Sequence, residues 1–177
     1  MIESLRRSAK LLTGNLGRTE DAKTPWDGAP VVVLYRQAAE LSMKSLIGEG
    51  CVFQKSPADH ITLAKTHSLR WLAQIVSQII RAVEWEAEFT CEGVSNLAAF
   101  SALIAELEEL EPVSAAILAD KRRELGGVPP KLRHHHVLEL APRMDALIDL
   151  LMKMADALAA TADLMNVDGG SGSGIIQ

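Results

Sequence analysis

At 177 residues the chain has room for one domain of ordinary size, whose single core buries roughly 70% of the surface an unfolded chain exposes, and not for a second full domain. It is 48% hydrophobic but only 4% aromatic, rich in Ala and Leu and poor in strand-forming runs, which favours helices packed on helices over a sheet. A formal charge of −5 provides no global field toward nucleic acid or an anionic membrane surface, so neither duplex DNA nor a membrane is an expected partner.

Residues 2–13 read as a short amphipathic helix. The stretch 14–30, with its glycines, prolines and charges, reads as a loop. The apolar run after Arg6 and Arg7 breaks at Thr13 and Gly14, too soon for a secretion signal, and no window approaches the ~18 uncharged apolar residues of a spanning helix. Across 31–47 the polar residues Arg36, Gln37, Glu40 and Lys44 fall on one side and Leu34, Tyr35, Ala38, Leu41, Met43 and Leu46 on the other, a helical pattern that continues through the strand-like run Val31 to Leu34. Glu40 and Lys44 form a well-oriented pair one turn apart, worth ~0.3 kcal/mol on an exposed face. Gly48, Gly50 and Pro57 mark 48–65 as a break.

The stretch KTHSLRWLAQIVSQIIRAVEWEAEF (65–89) carries two apolar seams. Leu69, Leu72, Val76, Ile79 and Val83 make one; Trp71, Ile75, Gln78, Ala82, Trp85 and Phe89 make the other; Arg70, Gln74, Ser77, Arg81, Glu84 and Glu88 are the polar strip. A surface helix needs only one apolar face, so this one is expected to be central to a bundle or shared with a second copy of the chain. Trp71, Ile75, Gln78, Trp85 and Phe89 are the expected dimer interface. As a stacking platform for bases they would need interleaved basic residues, which are lacking.

After a short break at Glu92 and Gly93, the stripe Leu97, Phe100, Leu103, Ile104, Leu107 and Leu110 predicts a helix antiparallel to its predecessor. Pro112 starts a further piece over 113–125, which Gly126, Gly127, Pro129 and Pro130 end. Pro142 suits a first helical position, and Met144, Leu147, Leu151, Met154, Leu158 and Met165 line one seam of a long last helix with Asp149 and Lys153 outside. The expectation is one helical domain over 1–167 and a flexible glycine-serine tail, DGGSGSGIIQ, over 168–177.

Taken together, LYRQAAELSMKSLIGEG (34–50) and KTHSLRWLAQI (65–75) resemble the HEPN family of small all-helical bundles. Its pattern of an aromatic residue, a Gln- or His-Ala-x-Glu-x-x-x-Lys-x-Leu helix and a His-x-Leu at the mouth of the next helix falls on Tyr35, Gln37, Ala38, Glu40, Lys44, Leu46, His67 and Leu69. MDALIDLLMKMADAL (144–158) is similar to the family's final helix, so the resemblance spans most of 30–165. It implies an up-and-down bundle of four to five helices, commonly dimeric, in a toxin-antitoxin, anti-phage or stress-response setting. Many members are metal-independent ribonucleases with an Arg followed by four to six residues and then a His. Here no Arg stands so before His60, His67 or the HHH run, the nearest imitation being Lys131 before His136, and Lys lacks the bidentate fork of Arg.

Two polar segments remain as candidates. In RHHHV (133–137), neighbouring side chains of a helix do not converge and no Cys-x-x-Cys or His-Glu-x-x-His partner exists, so a partly exposed turn outweighs a metal site, and no metal or cofactor is expected. A degenerate ribonuclease would use Lys131, Arg133 and one of His134, His135 and His136. Lys65, Thr66, His67 and Arg70 stand where a helix starting near Thr66 could hold a phosphate or nucleotide at its free N–H groups; the simpler reading is a Thr66 or Ser68 cap with His67 bonded to a neighbouring helix. Glu106, Glu108, Glu109 and Glu111 read as solvated acid near a helix C-terminus, and as an acidic docking patch at most. Cys51 and Cys91 have no neighbouring His to activate a thiol and no need of a disulfide, which points to a reducing cytoplasm.

These readings converge on a non-catalytic HEPN-like binding module, a cytoplasmic homodimer that takes a protein partner or a nucleotide or RNA ligand. The alternatives are the degenerate ribonuclease and a purely structural scaffold.

Overall fold

The computed structural model describes residues 1–18, 28–54, 60–118 and 134–168. They form six helices: α1 (Ile2–Arg18), α2 (Ala29–Phe53), α3 (His60–Lys65), α4 (Leu69–Ala82), α5 (Leu97–Leu118) and α6 (His134–Asp168). Among the described residues there is no strand, only an isolated bridge between Cys91 and Val94. The described residues thus belong to the all-helical class.

The centre is α2, which packs against α1, α4, α5 and α6. Its residues Val32, Tyr35, Ala38, Ala39, Met43 and Leu46 are fully buried or nearly so, because a helix with neighbours on most sides must be apolar on most sides. Burial, with a contribution from the Asp145 charge, pushes the Tyr35 phenol up to about 12. From α5, Phe100, Leu103 and Leu107 close one flank, and from α6, Met144, Leu147 and Leu151 close another.

A short amphipathic helix such as α1 is marginal alone and holds by docking. Arg6 donates to both Asp145 oxygens at 2.6 and 3.1 Å, Lys10 Nζ lies 2.8 Å from Oδ2, and a longer Arg6 contact of 3.4 Å reaches Asp149. Burial alone would raise the Asp145 carboxyl; the bonds from Arg6 and Lys10 outweigh it and hold the group below its ordinary value. Asp149, bonded by Lys153 at 2.6 Å, is also lowered.

Several helix limits differ from expectation. Helix α1 runs past Gly14 because Leu16 beyond it is buried, which offsets the ~1 kcal/mol a helical glycine costs. Helix α2 runs through Gly48 and Gly50 to Phe53, so the expected break over 48–65 opens only after Gln54 and is partly filled by α3. Gly50 has a packing reason: a Cβ there would stand 2.8 Å from Ile79 Cδ1, so the missing side chain lets α4 lie against α2. Pro112 lies inside α5, and Pro142 lies inside α6 rather than at its start. Buried Val137, Leu140, Ala141 and Met144 flank Pro142 on both sides and keep the helix continuous across the bond it cannot make. The expected stop at Gly126 to Pro130 and the tail beyond Asp168 lie outside the described residues.

The largest correction concerns 65–89, which is not one rod. Helix α4 ends at Ala82, and the chain reverses through Glu84 at φ 60. Trp85 N donates to Ile80 O at 3.0 Å and Glu84 N to Arg81 O at 3.1 Å, the paired bonds of a Schellman stop with Glu where Gly is usual. Phe89 then turns inward and meets Phe100 edge to face, ring centroids 5.2 Å apart. A tight turn follows, in which Gly93 adopts φ 77 beneath the Arg143 side chain, and Asn96 caps α5 by accepting from Ala99 N at 2.8 Å.

Candidate functional site

Glu40 is the focus of a polar cluster that joins α2 to the start of α4. It lies on the strip of α2 that periodicity assigns to water, yet its side chain is only 8% exposed. Arg36 Nη1 bonds one carboxylate oxygen. The other oxygen receives Lys44 Nζ at 2.8 Å and His67 Nδ1 at 2.9 Å. Two of these cations also reach backbone carbonyls of α3 and of its connection to α4: Lys44 Nζ donates to Ala64 O at 3.3 Å and Arg36 Nη2 to His67 O at 2.6 Å. Burial would raise the Glu40 carboxyl, but the bonds from Lys44 and His67 and the charge of Arg36 prevail and lower it. The expected Glu40–Lys44 pair is therefore present, in a partly buried network rather than on an exposed face.

The cluster fixes the start of α4. Thr66 belongs to the end of α3, its N–H and its hydroxyl both donating to Thr62 O, at 3.0 and 2.8 Å. Ser68 is the cap: extended at ψ 112, it accepts from Trp71 N at 3.3 Å. Helix α4 thus starts at Leu69, not near Thr66. An acid already stands there, since Glu108 Oε1 receives Ser68 Oγ at 3.3 Å and Glu108 Oε2 lies 2.8 Å from Arg70 Nε. Of the four candidate ligand residues, Lys65, His67 and Arg70 are exposed and Thr66 half-exposed. His67 and Arg70 are drawn to carboxylates on different helices, so the four do not converge on one point.

The acidic residues of α5 are mid-helix, because α5 continues to Leu118. Glu106 Oε1 lies 2.8 Å from His136 Nε2, and Glu106 Oε2 accepts from Arg143 Nη1 at 3.3 Å, tying α5 to α6. The run HHH opens α6 as its first turn rather than preceding it. Lys131 and Arg133, like the side chains of Glu111, His134 and His135, lie outside the described residues. Sequence reasoning did not single out Arg143, placed Arg36 on the wet strip although an Arg one turn before a Glu was a signal for the pair, and read Glu106 as solvated although it is half-buried between α5 and α6.

On α4 the first seam is buried, with Leu69, Leu72 and Val76 at 0% exposure and Ile79 at 5%. The second is partly wet: Trp71 is 37% exposed, Gln78 is exposed, and Ile75 and Trp85 are half-buried. Phe89 lies in the core, so a face on α4 is drawn without it.

Among the described residues no group of three or more His, Cys, Asp and Glu is placed to hold one metal ion. Burial and the charges of Glu92 and Asp149 push the Cys91 thiol up, away from the reactive thiolate. No described helix is long and apolar enough to cross a membrane. No family model, no curated protein and no solved structure matches the chain.

Proposed function

We propose that the chain is a non-catalytic, HEPN-like helical binding module that pairs with a second copy of itself through the outer face of α4. In a stress-response, toxin-antitoxin or defence setting it would receive a protein partner or a nucleotide-type ligand. The observation that carries this reading is the uncovered strip on α4, where Trp71 stays 37% exposed beside half-buried Ile75 in a helix whose other seam is closed. A wet tryptophan next to aliphatic surface is the kind of group that anchors protein interfaces. Further support comes from the residues of the resemblance: Tyr35, Leu46 and Leu69 are all core, while Glu40 gathers Lys44 and His67 across 27 residues of chain.

The binding reading is preferred to the ribonuclease because the sequence lacks an Arg at the required distance before any His, and because an acid, Glu108, occupies the start of α4 where a phosphate would have to sit. Sedimentation of the full chain at micromolar concentration is the test. A dimer that Trp71→Glu converts to a folded monomer is expected; a monomeric parent chain would end the pairing part of the proposal. RNA cleavage without added metal, abolished by His136→Ala, would replace it with the ribonuclease.

A further inference from the structure

The outward strip of α2 lines a trough that the bundle leaves open. Gln37, Leu41 and Ser45 follow one another at four-residue intervals, so the strip extends about 12 Å along one helix face. At one end is a recess of about 280 Å³ between Arg36, Gln37, Glu40, Leu41 and His67. At the other is a wider one of about 530 Å³, where the charged Glu3 and Lys44 stand with Ile2, Leu41, Ser45 and Met152. Leu41 and Met1 line both, so the two recesses adjoin.

The chemistry of the walls selects among ligands. The side-chain cations nearest the smaller recess are committed: Arg36 in its wall to Glu40 and His67 O, and Lys44, which lines the wider recess, to Glu40 and Ala64 O. A phosphate entering here would meet the Glu40 charge, and neither of these side chains is released to pair it. What remains on offer is an exposed amide at Gln37, donor and acceptor at once, and the outer nitrogen of the His67 ring. His67 Nδ1 faces the Glu40 carboxylate at 2.9 Å, so in the neutral ring the proton sits on Nδ1 and Nε2 accepts, whereas in the charged ring both nitrogens donate. The apolar floor of Leu41, with thioethers at Met1 and Met152, suits the face of a flat ring. An amide that both gives and accepts, an acceptor beside it and an apolar seat together match a neutral nitrogen heterocycle with an exocyclic amine.

We propose that this trough binds an adenine-type base through its ring and amine edge, the base seated on Leu41 and bonded by Gln37 and His67. The inference rests on the binding-module reading and deepens it: the ligand is held by its base on α2, not by a phosphate at the start of α4.

Titrating the isotope-labelled full chain with adenosine, AMP, inosine and inorganic phosphate, each to millimolar concentration, tests it by amide shifts. Adenosine and AMP are expected to move the same resonances around Gln37, Leu41 and His67 with comparable affinity. Inosine, which lacks the amine, should bind about tenfold more weakly, and phosphate should leave those resonances unmoved. Gln37→Ala, at an exposed position, should weaken adenosine, and Leu41→Asp should remove it in a chain whose helical spectrum is intact. Absence of any adenosine shift, equal binding of inosine, or phosphate alone moving residues 65–70 would overturn the proposal. Because self-association is read separately by sedimentation, loss of adenosine binding with the Trp71-dependent dimer intact would sink this inference alone.

Discussion

Glu40 and Asp145 are two versions of one device, a carboxylate drawing several cations from different parts of the chain, and they differ in where they sit. Asp145 joins α1 to α6 near the rim, its side chain 18% exposed and its partners Arg6 and Lys10 15% and 53% exposed, with Glu3 and Asp149 as further acids for Arg6. Glu40 is 8% exposed among Arg36 at 11% and Lys44 at 15%, and its cations go on to bond the carbonyls of Ala64 in α3 and His67 in the α3–α4 connection. Without Asp145, Lys10 is left to water and Arg6 to the other two acids. Around Glu40 water is scarcer, so the same chemistry becomes a fastening whose loss strands two cations.

The contrast is broken most forcefully by Glu40→Ala. It should destabilise the fold by about 3 kcal/mol in chemical denaturation, because Arg36 and Lys44 remain with reduced access to water. Asp145→Ala should cost only about 1 kcal/mol, and hydrogen exchange should rise mainly in α1. Equal losses in the two variants would show that burial does not separate them.

Acid sharpens the same comparison. Both carboxyls are held below their ordinary values, so each stabilises the fold above the unfolded pKa of about 4, and that contribution disappears as pH falls through the lower folded value. Stability should therefore decline on acidification below about pH 4, with a shallower decline in Glu40→Gln and in Asp145→Asn. An unchanged slope in both would remove these groups from the acid response.

Two variants outside both clusters set the scale. Glu84→Gly should stabilise by up to about 1 kcal/mol, since it relieves a left-handed residue that has a side chain. A loss of stability would mean that the Glu84 side chain contributes more than its backbone strain costs. Trp71→Glu should change monomer stability least, by about 0.5 kcal/mol or less, while abolishing the proposed pairing of copies.

What the sequence revealed follows from which forces leave a periodic trace. The buried seam Leu69, Leu72, Val76 and Ile79 and the α5 stripe through Phe100 and Leu107 were legible because burial repeats with the helix turn. Gly14, Gly48 and Gly50 misled because local propensity is weak beside packing, and at Gly50 packing requires the glycine. The stop after Ala82 was invisible because its left-handed residue is Glu84, which carries no turn signature. At the candidate site, His67 and Lys44 could be singled out from sequence. The burial of Glu40 could not, since the element that covers it arrives from elsewhere in the chain. Nor could Glu106 with Arg143, a pairing across 37 residues that no local pattern encodes.

Arg143 also has two tasks at once. Its aliphatic stem lies over Gly93, where a Cβ would stand 2.7 Å from Cγ, and its guanidinium reaches Glu106 on α5. The turn that leads from Phe89 into α5 and the docking of α6 beside α5 therefore share one side chain. In a double-mutant cycle, Gly93→Ala and Glu106→Gln should show a coupling free energy rather than independent costs. A lesion in the turn would then propagate as looser docking of α6, although no residue of that turn belongs to α6.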